Sequence, residues 1–357
     1  MSERPPVRVG FLSAVRHAGP YAAILAAEPD IEVVGVAEPA HSPSWVRSDS
    51  ERAAAAMGVP LHDQVDDLLG SGAVDVVVVC SEPTRHAELA IQAVRAGIPA
   101  LVDKPVAVSV AEVDRLAAVA RETGTPVGVV NRSLSPAVQR VRRWVDAGHL
   151  GLPLHVDVEW YASGAHFATS VERPELVVDP ALAGGGELLN FLLYPVDYIR
   201  TVTGLDVLEV HCEAATLFSE LHRAHGAEDA AVCSLRLDHG VTATVTLARV
   251  PAAPGLGPVT STMRVLGSHG QASSDDDLPA VRVHRGDGGV ECRPVDGPSS
   301  DAILRRLLAP TLIQLAAGDT PDYTLADARA ALAVTEAAYR SVTTGQPAEV
   351  SPPPPTS

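Results

Sequence analysis

Residues Val74 to Cys80 read VDVVVVC. Such a β-branched run, with no polar alternation after Asp75, predicts a strand buried on both faces. Strands of that kind belong to parallel sheets with helices on either side. The flanking sequence supplies the rest of such a sheet. Val7 to Leu12, Ile31 to Ala37, Ile98 to Val102 and Val127 to Val130 predict further strands. Helices are predicted between them: Pro20 to Ala27, Ser50 to Met57 ended by Gly58, and Thr84 to Ala96 stopped by Gly97. A last one runs from Ser109, with Glu112 completing a capping box, to Thr123 before Gly124. The alternation predicts an α/β, doubly wound parallel sheet, which takes ligands at the carboxyl ends of its strands.

After a predicted helix at Ala137 to Ala147 the period changes. Leu154 to Tyr161, Val207 to Thr216, Ala230 to Leu237, Val241 to Val250, Thr260 to Leu266 and Ala280 to His284 alternate apolar and polar residues. These predict a second, α+β domain with a large, mainly antiparallel open sheet, solvated on one face. Helices are expected at Gly186 to Thr203, Ala302 to Ala317 and Leu325 to Thr344. The expected organisation is a parallel α/β domain over 1–126, an α+β domain over 127–345, and a disordered Pro-rich tail over 346–357.

Acidic residues outnumber basic ones 44 to 27, for a formal charge of −17. That argues against nucleic acid and against an anionic membrane surface as partners. The sequence has neither an apolar run of spanning length nor a secretory h-region, so a cytoplasmic protein is expected. Cys80, Cys212, Cys233 and Cys292 lie far apart, and His166, His211, His222 and His225 form no ligand spacing. No metal is expected, and Asp275-Asp276-Asp277 reads as a solvated loop.

The turn after the first strand is where a GxGxxG phosphate loop would sit. The glycine positions here read Ser13, Val15 and Ala18, between Gly10 and Gly19. Ser13 and Ala18 are small; the branched Cβ of Val15 would crowd a phosphate. His17 offers a ring nitrogen as a substitute contact, or is a solvated loop histidine. Glu38 ends the second strand, either as an acceptor for ribose hydroxyls or as a solvated strand end.

One helix carries a polar stripe. Glu187, Asn190, Tyr194 and Asp197 are spaced three, four and three apart in an otherwise apolar segment, so they share one face. Such a stripe meets water, a partner, a ligand or a buried hydrogen-bond network. Pro195 removes one helix hydrogen bond and predicts a bend.

Several segments, in order, resemble the Gfo/Idh/MocA oxidoreductase family. They are Ser81-Glu82-Pro83-Thr84-Arg85-His86-Ala87-Glu88, Asp103-Lys104-Pro105 in place of the usual Glu-Lys-Pro, and Asn131-Arg132-Ser133-Leu134-Ser135-Pro136. Ala147-Gly148-His149-Leu150-Gly151, Asp179 to Gly186 and the closing Asp327 to Gly345 continue the resemblance. It implies a nicotinamide-dependent oxidoreductase acting on a sugar-like or cyclic polyol substrate, with 1–126 as a Rossmann dinucleotide-binding domain and 127–345 as a substrate and oligomerisation domain. The polar stripe then falls on the catalytic helix, with Asn190 and Tyr194 where many members have Asp and His. The implied roles are Tyr194 as acid/base, Lys104 tuning it and Asn190 holding substrate. An ammonium near the phenol would lower its reference pKa of about 10. Cofactor contacts are implied at Ser13, Val15, His17, Ala18, Glu38, Cys80, Ser81, His86, Asp103 and Lys104, and substrate contacts at Asn131, Arg132 and Asp197. His86 has an alternative role in local capping or packing. Glu38 predicts NAD over NADP, and the resemblance implies a homo-oligomer through the second sheet. Two alternatives stay open: a catalytically silent member serving as a binding or partner subunit, and a non-redox use of tightly held NAD.

Overall fold

A computed structural model describes residues 5–133, 135–164, 173–251, 259–275, 280–295 and 300–353. Leu134, His166, Asp276, Asp277 and the tail from Pro354 lie outside the described residues. The chain divides into two compact units: Met1–Val130 with Ser170–Leu176 and Ser300–Ala328, and Asn131–Thr169 with Val177–Ser299 and Arg329–Ser357.

The first unit is built on β1 (Val7–Leu12), β2 (Ile31–Ala37), β3 (Leu61–His62), β4 (Val76–Val79), β5 (Ala100–Val102) and β6 (Val127–Val129). They form one sheet in the order β3-β2-β1-β4-β5-β6, and every pair is parallel. This is the doubly wound order, reversing direction between β1 and β4. All four valines of β4 are fully buried, as the run of β-branched residues predicts. Part of the cover comes from far along the chain. The helix Ser300–Ala316 packs on the sheet, and a Cβ at Gly128 would stand 3.3 Å from Thr311 and Leu315. Residues 300–328 therefore belong to this unit, and not to the second domain as the sequence reading placed them. A helix periodicity shows that a helix has an apolar face, but not which sheet that face will cover.

The second unit has nine strands: β7 (Pro153–Ser163), β8 (Val207–Ala215), β9 (Ala230–Leu237), β10 (Thr242–Val250), β11 (Val259–Gly267), β12 (Gly270–Asp275), β13 (Ala280–Arg285), β14 (Val290–Pro294) and β15 (Ala348–Glu349). Their order is β14-β13-β12-β11-β7-β10-β9-β8-β15, antiparallel throughout except for the parallel pair β7 and β10. Val156, Val158 and Trp160 of β7 face the core; the alternate residues Asp157 and Glu159 face outward. The helices Pro136–Asp146 and Leu193–Thr203 and the last helix, Leu325–Thr344, contribute buried residues to that core. One prediction is corrected here. Residues 348–349 are not a disordered tail: they pair with β8, and the Val350 amide donates to the Leu208 carbonyl. The polar-stripe helix runs as Glu187–Phe191 and Leu193–Thr203, and Leu192 between them is itself helical (φ −58°, ψ −28°), so the segment continues through one missing hydrogen bond. Pro195 has no N–H for the Phe191 carbonyl and its ring crowds that turn, which accounts for the missing bond. Among the described residues no helix is long and apolar enough to cross a membrane.

Candidate active site

In the first unit the predicted cofactor residues gather at the carboxyl ends of β1, β2, β4 and β5. Ser13 and His17 both have positive φ, 60° and 56°, and turn the chain from β1 into the helix Ala18–Leu25. These are left-handed conformations that glycine adopts more cheaply. A Cβ at Gly19, which is exposed, would meet nothing within 4 Å, whereas Ala18 at the head of the helix is fully buried. Val15 does not project its branch into that space. Its side chain is fully buried with Val46 and Leu176. The Val15 and Arg16 amides donate to the Cys80 carbonyl at 3.1 and 3.0 Å, so Cys80 holds the loop through its backbone. Arg16 is buried and donates to the Leu176 carbonyl at 3.0 Å.

Asp103 is the electrostatic centre of this region. Its carboxylate meets the His17 ring at 2.7 Å and accepts from the Tyr21 hydroxyl at 2.7 Å, with the Arg16 guanidinium 4.0 Å away. Burial by itself would raise its pKa; the His17 contact and the Arg16 charge outweigh burial and hold it well below the carboxylate range. Lys104 follows it and is buried. His86 sits 2.6 Å from the Pro105 carbonyl and 2.9 Å from that of Ser81, tying the loop after β4 to the loop after β5. That is the local packing alternative. The Ser81 hydroxyl donates within its own loop, to the Glu82 carbonyl. Glu38 is not a solvated strand end: it is fully buried and takes hydrogen bonds from Ser42, Ser50 and Arg85.

In the second unit the stripe residues Glu187, Asn190, Tyr194 and Asp197 are all buried. Glu187 forms a buried ion pair with Arg249, meets the His222 ring at 3.1 Å and accepts from the Asn190 amide nitrogen at 2.8 Å. Burial pushes the Glu187 pKa up, but the Arg249 charge and these hydrogen bonds bring it down to about 2. An ionised carboxylate only accepts, so the amide must turn its NH₂ toward Glu187, and the Asn190 carbonyl oxygen points elsewhere, as an acceptor. Tyr194 stacks on Trp160, with ring centroids 4.8 Å apart. The Arg132 guanidinium lies 5.1 Å from the Tyr194 ring centre and 5.3 Å from that of Trp160. The structure thus brings the predicted Arg132 to Tyr194. Asn131 is instead used in a local turn, its Oδ1 accepting from the Ser133 amide at 3.0 Å and its hydroxyl at 2.6 Å.

Arg249, Trp160 and Arg85 were not singled out by the sequence reading. Arg249 had a signal: it occupies the buried phase of β10, in register with Ala243, Val245 and Leu247. A charge in that phase demands a partner.

Comparison with known proteins agrees with this architecture. Residues 9–130 match the profile described as "Oxidoreductase family, NAD-binding Rossmann fold", and residues 138–273 match "GFO/IDH/MocA C-terminal domain". The chain is 26% identical over 216 residues to "Uncharacterized oxidoreductase YrbE" of Bacillus subtilis (strain 168), 60% of this chain and 59% of that protein. It is 30% identical over 182 residues to "1,5-anhydro-D-fructose reductase" of Ensifer adhaerens, 50% of this chain and 52% of that protein. The chain thus spans less than two thirds of the length of these curated relatives. The crystal structure of GenD2 from gentamicin A biosynthesis, in complex with NAD, shares the fold with a TM-score of 0.81 and 23% identity, covering 99% of this chain and 98% of that one. The ordered doubly wound sheet, the open second sheet and the two profile matches together place the chain in the Gfo/Idh/MocA oxidoreductase family.

Proposed function

We propose that this protein is a nicotinamide-dependent oxidoreductase that interconverts a hydroxyl and a carbonyl on a sugar-like or cyclic polyol substrate, with Tyr194 as the acid/base. The residues at the end of β1 fit a dinucleotide: Ser13 and His17 make the turn that glycine would make, and the chain is open to solvent at Gly19 in the first turn of the helix. A helix start of this kind favours a pyrophosphate. When bound there, the nicotinamide supplies or accepts the hydride; the chain supplies the proton and the orientation. The observation that carries the reading is the pairing of Tyr194 with a fixed amide. The Tyr194 ring stacks on Trp160 with the Arg132 guanidinium beside both rings, and Asn190 is locked by Glu187 with its carbonyl oxygen turned away as an acceptor. The Tyr194 oxygen gives or takes the substrate proton, and Asn190 orients the substrate by accepting from a hydroxyl. The likeness of Asp103-Lys104-Pro105 to the family motif supports a role for Lys104 in the same reaction.

NAD is favoured over NADP. Glu38 and Glu82 place two carboxylates against the single guanidinium of Arg85, so a 2′-phosphate would meet net negative charge. Arg47 is engaged by Glu51 and Asp63.

Tyr194→Phe keeps the ring on Trp160 and removes the hydroxyl. General acid–base transfer is worth roughly 10²–10⁴ in rate, so turnover with a panel of cyclic polyols and sugars should fall by that factor while NADH affinity holds. A rate unchanged by Tyr194→Phe sinks the assignment, and faster turnover with NADPH than NADH sinks the cofactor preference.

A further inference from the structure

We propose that Arg85 is a strap across the dinucleotide crevice: it occupies the acceptor positions of Glu38 that a ribose diol would use, and the diol must displace it to bind. The inference rests on the nicotinamide reading above and concerns what that cofactor has to move. The crevice of a doubly wound sheet lies outside the carboxyl ends of its strands, where the strand order reverses. Here β1 lies between β2 and β4, and Ser13, Glu38 and the loop of Glu82 and Arg85 follow those three strands. Arg85 reaches from the β4 side to the β2 side, past the end of β1. Its Nη1 donates to Glu38 Oε1 at 2.9 Å, and its Nη2 lies 3.4 Å from Glu38 Oε2 and 3.3 Å from Ser13 Oγ.

Glu38 has no acceptor capacity left over. Oε1 also takes the Ser42 hydroxyl at 2.5 Å, and Oε2 takes the Ser50 hydroxyl at 3.2 Å. A carboxylate offers about four lone-pair sites. All four are met, by two hydroxyls and the two ends of one guanidinium, and the side chain is fully buried beneath them. Ser42 and Ser50 belong to Glu38's own side of the sheet. Arg85 is the donor that comes from across the crevice, and its side chain is 27% exposed.

A second carboxylate gives the strap somewhere to go. Glu82, three residues before Arg85, accepts from its Nε at 2.6 Å and its Nη2 at 2.9 Å. Arg85 can therefore release Glu38 while remaining paired. A ribose diol would then donate to Glu38 in its place, and the exchange leaves no buried charge alone. Apparent affinity is the intrinsic affinity reduced by the fraction of molecules with the strap open.

Two substitutions in the same loop should act in opposite directions. Arg85→Ala frees Glu38 and should tighten NADH binding about tenfold, the factor expected for a binding-competent state populated at about 10%. Glu82→Gln removes the strap's alternative partner and should weaken NADH binding, while leaving Glu38 paired and the fold undisturbed. The measurement is a calorimetric NADH titration of the full chain and both variants, each checked by thermal melting. Binding by the wild type with Arg85→Ala equal or weaker overturns the strap alone. So does Glu82→Gln with unchanged or tighter binding, even where Arg85→Ala does not fold. No binding by any of the three folded chains overturns the strap together with the nicotinamide reading.

Discussion

Asp103 and Glu187 make an instructive pair, one in each unit. Both are fully buried carboxylates, and both are held ionised against the pull of burial. They are held by different means. Glu187 faces a guanidinium directly, in the buried ion pair with Arg249, with His222 and Asn190 filling its remaining sites. Among the described residues Asp103 has no guanidinium at hydrogen-bonding distance: it relies on a phenol, an imidazole and an Arg16 charge 4.0 Å off. The first arrangement concentrates its stabilisation in one partner; the second spreads it over three. A concentrated pair makes a rigid fixture, suited to locking the Asn190 amide. A distributed set tolerates the loss of a member, which suits a loop that has to admit a ligand.

The sharpest way to break the comparison is to remove the dominant partner. Arg249→Met keeps most of the volume under Phe191 and strands Glu187 without a counter-charge. Breaking a buried pair from one side costs about 3–5 kcal/mol. Urea unfolding should show a loss of that size, together with reduced turnover because Asn190 loses its anchor. A loss under 1 kcal/mol would mean that His222 and Asn190 hold the carboxylate unaided, and the contrast with Asp103 would collapse.

Removing one of the distributed donors should cost less. Tyr21→Phe deletes one hydroxyl from Asp103 and leaves His17 and Arg16 in place. A hydrogen bond to a charged group is worth roughly 1.5–3 kcal/mol, and sharing among partners places this one at the lower end. The same unfolding experiment checks it; a cost equal to that of Arg249→Met would show that Tyr21 carries the Asp103 site alone.

The two sites also differ in how far the sequence disclosed them. The strand run at Val74 to Cys80 and the helix stops at Gly58, Gly97 and Gly124 made the first sheet legible, because backbone burial and glycine punctuation are local properties. The stripe at Glu187, Asn190, Tyr194 and Asp197 was legible for the same reason. What the stripe meets was not: Arg249, on β10, and His222, on the helix Glu220–His225, lie 62 and 35 residues beyond Glu187, and only the tertiary fold brings them to it. Asp103 was visible as part of a motif, but its partner His17 is 86 residues away in a loop whose glycines have been replaced. The return of residues 300–328 to the first unit was hidden because an amphipathic helix carries no label for the sheet it covers. The Val15 branch was read as an obstruction because spacing says nothing of direction; the structure turns it into an apolar cluster with Val46 and Leu176.

The finest distinction between the two carboxylates lies in pH dependence. In the wild type Glu187 titrates at about 2 in the folded chain, below the unfolded value of about 4.3. A depressed carboxylate contributes stability above its unfolded pKa, and that stability is lost as pH falls from about 5 toward 2. Asp103, also depressed, behaves alike. Arg249→Met reverses the sign for Glu187 only. With the guanidinium gone, burial is the largest influence left and drives the folded pKa above the unfolded one. A raised carboxylate is stabilising in its protonated form, at pH values below the unfolded pKa, and loses that stability as pH rises through the folded pKa. The gap between wild type and Arg249→Met should therefore shrink on going from pH 7 to pH 3, because acid neutralises the stranded carboxylate. In Tyr21→Phe, His17 and Arg16 still favour the charged form of Asp103. Its folded pKa stays below the unfolded value, and that variant becomes less stable with acid, as the wild type does. Urea midpoints at pH 7, 5 and 3 for the three chains decide it: a gap for Arg249→Met that stays constant from pH 7 to pH 3 would mean that Glu187 keeps its charge without Arg249.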